Sequence, residues 1–219
     1  MGSVLSVKEC FSFGWKTFRA RPWIFVQAGL LLLLVNIFIS LAQSVFEQGG
    51  TASGIVVFVS SVAGIALSFL ISMGETAFFL RAHDDVASTG LRDLWHPHPF
   101  WKFVAASVLV ALAVIAGFIL LIVPGIILGI MFGFSTYLVI EKGLGPIEAL
   151  KASAALTKGN RWKLFLLGLA TIGINILGFL ALIIGLFVTV PLSFLAMVHA
   201  YRTLSGGNPA GAPEPAAAA

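Results

Sequence analysis

The stretch Phe118–Gly133, FILLIVPGIILGIMFG, sets a Pro-Gly pair inside an apolar run that no charge interrupts from Phe103 to Ile140. Whether the chain turns there or crosses straight through decides the architecture. That run is 38 residues long, as is the last one, Leu164 to Tyr201. As helix each reaches about 57 Å, roughly twice the ~30 Å of hydrocarbon in one crossing. If each run crosses twice, all 13 Lys and Arg gather on one side: Lys8 to Arg21, Arg81 to Lys102, Lys142 to Lys163, and Arg202. If each crosses once, Lys142, Lys151, Lys158, Arg161 and Lys163 change sides and the split becomes 8 to 5. The bias of Lys and Arg toward cytoplasmic loops favours the first arrangement. The chain is therefore expected to turn, with Pro124 and Gly125 as the helix-hairpin turn, because Pro lacks the N–H of a continuing helix and Gly tolerates turn geometry. A kinked or re-entrant segment is the rival reading.

Composition agrees with a membrane protein. With 59% hydrophobic and 10% charged residues in 219, and a mean hydropathy of +1.04, there is too little polar surface to clothe a soluble domain. The uncharged runs are apolar on every face, which excludes lipid-facing barrel strands, where polar and apolar residues alternate. The expected fold class is thus all-α: a polytopic membrane protein with six transmembrane helices as three hairpins and cytoplasmic amphipathic interfacial helices. One integral membrane domain covers 1–204, with an interfacial helix at 3–20 and spans near 23–46, 54–80, 100–122, 124–140, 162–184 and 187–201. Residues 205–219 form a low-complexity cytoplasmic tail. The first run follows about twenty residues rich in Lys and Arg and exceeds an ordinary signal h-region, so it reads as a retained span. The expected location is the bacterial inner membrane, with both termini cytoplasmic.

A weak internal repeat fits three units. Arg21–Gly29 (RPWIFVQAG), Pro99–Ser107 (PFWKFVAAS) and Asn160–Gly168 (NRWKLFLLG) each open an apolar run with Trp at the interface. Before the first, Val4, Val7, Phe11, Trp15 and Phe18 fall at helical spacing, with Lys8, Lys16 and Arg19 able to reach headgroups. Before the third, Ile147, Leu150 and Ala154 make an apolar stripe, Pro146 suits a first turn, and Gly159-Asn160 ends the helix.

The segment IVPGIILGIMFGFSTYLVIEKGLGPIEALKASAALTKGNRWKLF, with Pro124-Gly125, Glu148 to Leu150, Ser153 and Lys158-Gly159, resembles a six-helix bacterial integral membrane family. That family is YciC-like and related to the membrane domain fused to some glycerophosphodiester phosphodiesterases. Gly74 and Leu91 to Trp95 match it more loosely. The resemblance implies the same membrane fold. It implies no phosphodiesterase activity, since the catalytic part of those enzymes is a separate soluble barrel with no counterpart in this sequence.

Candidate functional residues fall into four groups. Lys151, Lys158, Arg161 and Lys163 are expected at anionic headgroups. Glu75, Asn36, Asn175 and His199 are polar groups inside apolar runs, where a polar side chain costs free energy; Glu75 is the sharpest, and the other three suit interhelical hydrogen bonds. Gly125, Gly129 and Gly133, spaced by four, give a flat face for helix packing within the bundle or between two copies. His83, Asp84, Asp85, Asp93, His96 and His98 suit a metal by residue type, but there is no second Cys/His pair and no H-E-x-x-H, so a solvated loop is the default. No G-x-S-x-G or Walker A loop occurs, and the single Cys10 allows neither a disulfide nor C-x-x-C.

The expected role is non-enzymatic: membrane organisation by binding lipid, in particular anionic lipid, or a membrane protein partner or second copy. No cofactor is expected. The net charge of +4 reads as cytoplasmic-face asymmetry, with no nucleic-acid partner. The alternatives are a small transporter or channel using Glu75, and a membrane-embedded metal-dependent hydrolase using the His83–His98 loop.

Overall fold

The computed structural model describes residues 5–48, 54–95, 99–181 and 185–206. These form α1 (Val7–Ala20), α2 (Pro22–Gln48), α3 (Gly54–Asp84), a 3-10 turn at Leu91–Leu94, α4 (Phe100–Leu120), α5 (Ile122–Phe132), α6 (Ser135–Lys142), α7 (Pro146–Thr157), α8 (Arg161–Leu180) and α9 (Leu186–Ser205). No strand occurs among them. Six stretches are long and apolar enough to cross a membrane, α5 and α6 together making the fourth, Ile122–Lys142. The expected tail from 207 onward lies outside the described residues, as does the centre of the last turn, 182–184.

Pro124 and Gly125 are not the turn. The break falls at Leu121, in extended conformation (φ −168°, ψ 157°), and the Pro-Gly pair lies in the first turn of α5. There the missing N–H of Pro costs nothing, because the first four amides of a helix have no intrahelical acceptor. The fold-back is tight because glycine meets glycine: a Cβ on Gly117 would lie 2.8 Å from the Cα of Gly125. The same device recurs between α8 and α9, where a Cβ on Gly185 would lie 2.7 Å from the Cα of Gly178. The other two glycines of the expected stripe behave differently: Gly129 has only Val114 near it, at 3.9 Å, and with Gly133 it lines a cavity.

Burial divides the molecule into two zones. One is a close-packed core built from α1, the end of α3, α6, α7 and the end of α9, with Phe78, Met73, Val139, Leu195 and Tyr201 fully buried. The other carries exposed apolar residues, among them Phe38, Ile55, Phe58, Ile119, Ile122 and Phe179. In water such a surface would be a liability; in lipid it needs no cover. The three Trp-led segments are equivalent in position. Trp23, Trp101 and Trp162 are each the second residue of a helix and are 76%, 79% and 70% exposed. The residues two and five further on, Phe25 and Ala28, Phe103 and Ala106, Leu164 and Leu167, are all buried.

The segments before them pack into the core through small and polar residues, a face that the apolar spacing does not mark. In α1 the buried set is Cys10, Gly14, Thr17 and Phe18, with Gly14 close against Leu192 and Ala196 of α9. Val7 and Phe11 only border this core and Trp15 is exposed. In α7, Ile147 is exposed, and the buried residues are Ala149, Ser153 and Thr157. The reason is the break between α5 and α6, which interrupts the helical ladder at Gly133 and Phe134. Ser153 Oγ accepts the Phe134 N–H (3.2 Å) and donates to the Met131 carbonyl (2.8 Å). A hydroxyl face thus satisfies backbone groups that would otherwise be buried unpaired.

Candidate functional site

Helix α8 starts where α7 ends. Lys158 stops α7, and Gly159 turns the chain with φ +86°, a conformation that suits a residue without Cβ. Arg161 opens α8 and lines a groove of about 370 Å³ with Val123, Ile126, Ile127 and Ile130 of α5 and with Trp162 and Phe165. Its Nε is buried and without a hydrogen-bond partner among the described residues. A guanidinium edge is therefore aimed at apolar surroundings beside an exposed indole. Lys158 and Lys151 are exposed and Lys163 is half-buried. None of the four cations is within ion-pair distance of a described carboxylate.

The intramembrane polar residues separate. Asn36 is exposed and bonds back to the Leu32 carbonyl of its own helix at 2.8 Å. Asn175 does link helices: its Nδ2 donates to Ser193 Oγ on α9 and to the Thr171 carbonyl, both at 2.9 Å. It borders a cavity of about 560 Å³ between α5–α6, α8 and α9, together with Gly129, Gly133 and Gly168. Glu75 lines a separate crevice of about 200 Å³ between α2, α3 and α9.

His199 belongs to a cluster that sequence spacing did not reveal. His83 Nε2 lies 3.1 Å from His199 Nδ1, and Phe13 of α1 covers both imidazoles with ring centroids at 4.4 Å. His83 Nδ1 is 3.2 Å from Asp84. Arg202 then binds Asp84 and Glu141, and Glu141 also accepts the Tyr201 hydroxyl. The network ties α1, α3, α6 and α9 together. Its bonds between helices join residues 60 to 118 positions apart, so only the residue types were visible in the sequence.

The His/Asp stretch is pulled apart by these contacts. Asp93 pairs with Arg81 at 2.7 Å, and Asp85 accepts the Ala87 N–H at 2.9 Å. Hydrogen bonds from Ser88 and the Ala87 amide hold the Asp85 carboxyl below the usual aspartate range. Arg21 clasps the same loop through the Val86, Ala87 and Thr89 carbonyls. Among the described residues no group of three or more His, Cys, Asp or Glu side chains is placed to hold a metal. His96 and His98 lie outside the described residues. Cys10 is 1% exposed, and its thiol is pushed up to about 11 by burial and by the Glu9 charge.

Comparison with known proteins gives a family. The model described as "Protein of unknown function (DUF975)" matches residues 6–208. The chain belongs to that family. The uncharacterized protein Rv2560 of Mycobacterium tuberculosis (strain ATCC 25618 / H37Rv) is 27% identical over 165 residues, 75% of this chain and 50% of the relative. The uncharacterized protein Mb2590 of Mycobacterium bovis (strain ATCC BAA-935 / AF2122/97) matches with the same identity and coverage. The chain spans about half the length of the curated relatives it matches. No solved structure matches.

Proposed function

We propose that this DUF975 protein holds an anionic lipid at the cytoplasmic side of the bacterial inner membrane and organises the membrane around it, without catalysis. In this reading the six helices form three hairpins, both termini are cytoplasmic, and α1 and α7 sit at the membrane interface as part of the packed core. The lipid phosphate meets Arg161, with Lys158 and Lys163 adding attraction, and one acyl chain follows the groove between α5 and α8. The likeness to YciC-like proteins and to the membrane domains of phosphodiesterases belongs to the same reading. It rests on the motif between Leu121 and Phe165.

The observation that carries the proposal is Arg161 itself: a cation whose buried Nε has no hydrogen-bond partner among the described residues, lining an apolar groove flanked by an exposed Trp162. Burying such a group without a partner is costly, and a phosphate accepts from a guanidinium in two-point geometry. Clustered Lys and Arg near a lipid surface add about 1 kcal/mol each.

Native mass spectrometry of the protein released from native nanodiscs tests this. The expected result is a defined anionic lipid retained by the wild type and lost from Arg161→Gln. A bare particle, or equal retention in both, would refute it. Orientation is tested separately, on a Cys10→Ser, Lys16→Cys protein. An impermeant maleimide should label inside-out vesicles and spare intact spheroplasts.

A further inference from the structure

A second site, independent of the lipid groove, surrounds Glu75. Every other described acidic side chain is exposed, like Glu9 and Asp85, or held by a cation, hydroxyl or amide, as with Asp84, Asp93, Glu141 and Glu148. Glu75 is half-buried inside a helix of the bundle and has neither a hydrogen bond nor an ion pair among the described residues. Tyr137 of α6 lies within electrostatic range but does not bond to it. A carboxylate in lipid surroundings without compensation is expensive, and such residues are retained for a purpose.

The walls of the crevice indicate what compensates it. Phe78 and Phe79 follow Glu75 by three and four residues and therefore share its face of α3. Phe25 of α2 completes an aromatic set, edge-on to Phe78 (80°, centroids 5.9 Å) and parallel to Phe79 (9°, 6.1 Å). Phe187 of α9 adds a fourth ring, and the space opposite is left open by Gly29. A Cβ on Gly29 would only touch Phe187 at 3.6 Å, so the gap is not forced by a backbone clash. Leu33 and Val190 on the rim are 46% and 36% exposed, so the crevice opens onto the apolar outer surface.

Phe25, Phe78 and Phe79 are buried against one another and form the floor, while Phe187 is partly exposed. A negative charge in such an apolar crevice is the recognition chemistry of an organic ammonium: the carboxylate neutralises the cation, and the apolar walls, with the Phe187 ring, take its carbon substituents. We propose that the crevice between α2, α3 and α9 binds an amphiphilic organic ammonium, its charged nitrogen on Glu75 and its carbon substituents against Phe187, Leu33 and Val190. The site admits such a molecule from the membrane, through the opening beside Leu33 and Val190.

The test uses the full chain in nanodiscs of phosphatidylglycerol alone, which supply no cationic headgroup, with benzyltrimethylammonium as the probe in isothermal titration calorimetry. Saturable one-site binding is expected in the wild type. Glu75→Gln, which keeps the shape and removes the charge, should weaken it at least tenfold. Gly29→Leu, which fills the crevice and leaves the charge, should do the same, so the answer does not depend on one variant folding. Both variants are compared with the wild type for melting temperature without the probe. Adding phosphatidylethanolamine identifies the source: competition points to a lipid headgroup, and no competition to a free amine, each with the site intact. Absence of saturable binding to the wild type, or undiminished binding to Glu75→Gln, would overturn the proposal.

Discussion

Ser153→Ala removes one oxygen from the centre of the packed core, and its cost follows from two contacts. Ser153 is fully buried; its Oγ accepts the Phe134 N–H and donates to the Met131 carbonyl. The Met131 oxygen keeps a weak second donor in Thr157, at 3.5 Å, whereas the Phe134 amide has no replacement among the described residues. One orphaned buried donor costs about 1–3 kcal/mol. At about 2–4 °C per kcal/mol for a chain of this size, melting should fall by roughly 2–12 °C. The assay is intrinsic tryptophan fluorescence during heating in detergent, with Ala155→Ser on the exposed face of α7 as a control that should not shift. Thr157→Val should be non-additive with Ser153→Ala by about 0.5–3 kcal/mol, because both hydroxyls serve the same carbonyl. An unchanged melting curve for Ser153→Ala would show that the break between α5 and α6 is not held by α7, and that α7 is free to lie on lipid through Ile147.

Gly117→Ala should destabilise by about 1–3 kcal/mol, since its Cβ would meet the Gly125 Cα at 2.8 Å and a backbone atom cannot rotate away. Gly168→Ala, where a Cβ meets open space, should leave melting unchanged in the same assay. Gly74→Ala places a Cβ 1.8 Å from the Leu94 carbonyl and should displace the turn at Leu91–Leu94, read as faster proteolysis next to Trp95. Cys10, buried and with its thiol raised to about 11, should react with maleimide at pH 7 at least tenfold more slowly in the folded protein than in denaturant. Because its folded value is the higher one, the protonated thiol supports the fold below the ordinary thiol range. That contribution should be lost as pH rises from about 8.5 toward 11, an extra fall in melting temperature that Cys10→Ala abolishes.

The six apolar helices were legible because charge exclusion and length are local properties of the chain, and the Trp-led segments because Trp marks helix entry at three places. The turn was misplaced by three residues because Pro is compatible both with a turn and with the first turn of the following helix. What decides between them is the Gly117–Gly125 contact, a tertiary fact. The buried faces of α1 and α7 were not legible for a related reason. Hydrophobic spacing selects Trp15 and Ile147, but burial in a tight helix contact favours small residues such as Gly14, Ala149 and Ser153. Of the candidate residues, Arg161 and Glu75 could be singled out by charge alone. Nothing local announced that His83 would meet His199, or that Arg202 would join Asp84 to Glu141, because those pairs form only when α9 returns to α3 and α6.

The most direct test of the account is photo-crosslinking with a phosphatidylglycerol carrying a diazirine in one acyl chain, followed by peptide mapping. A lipid held by Arg161 in the α5–α8 groove should concentrate adducts on Val123, Ile126, Ile127 and Phe165, and Arg161→Gln should remove them while leaving background labelling elsewhere. Adducts spread over exposed residues of α2 and α3, such as Phe38 and Phe58, with no enrichment in the groove and no effect of Arg161→Gln, would contradict it.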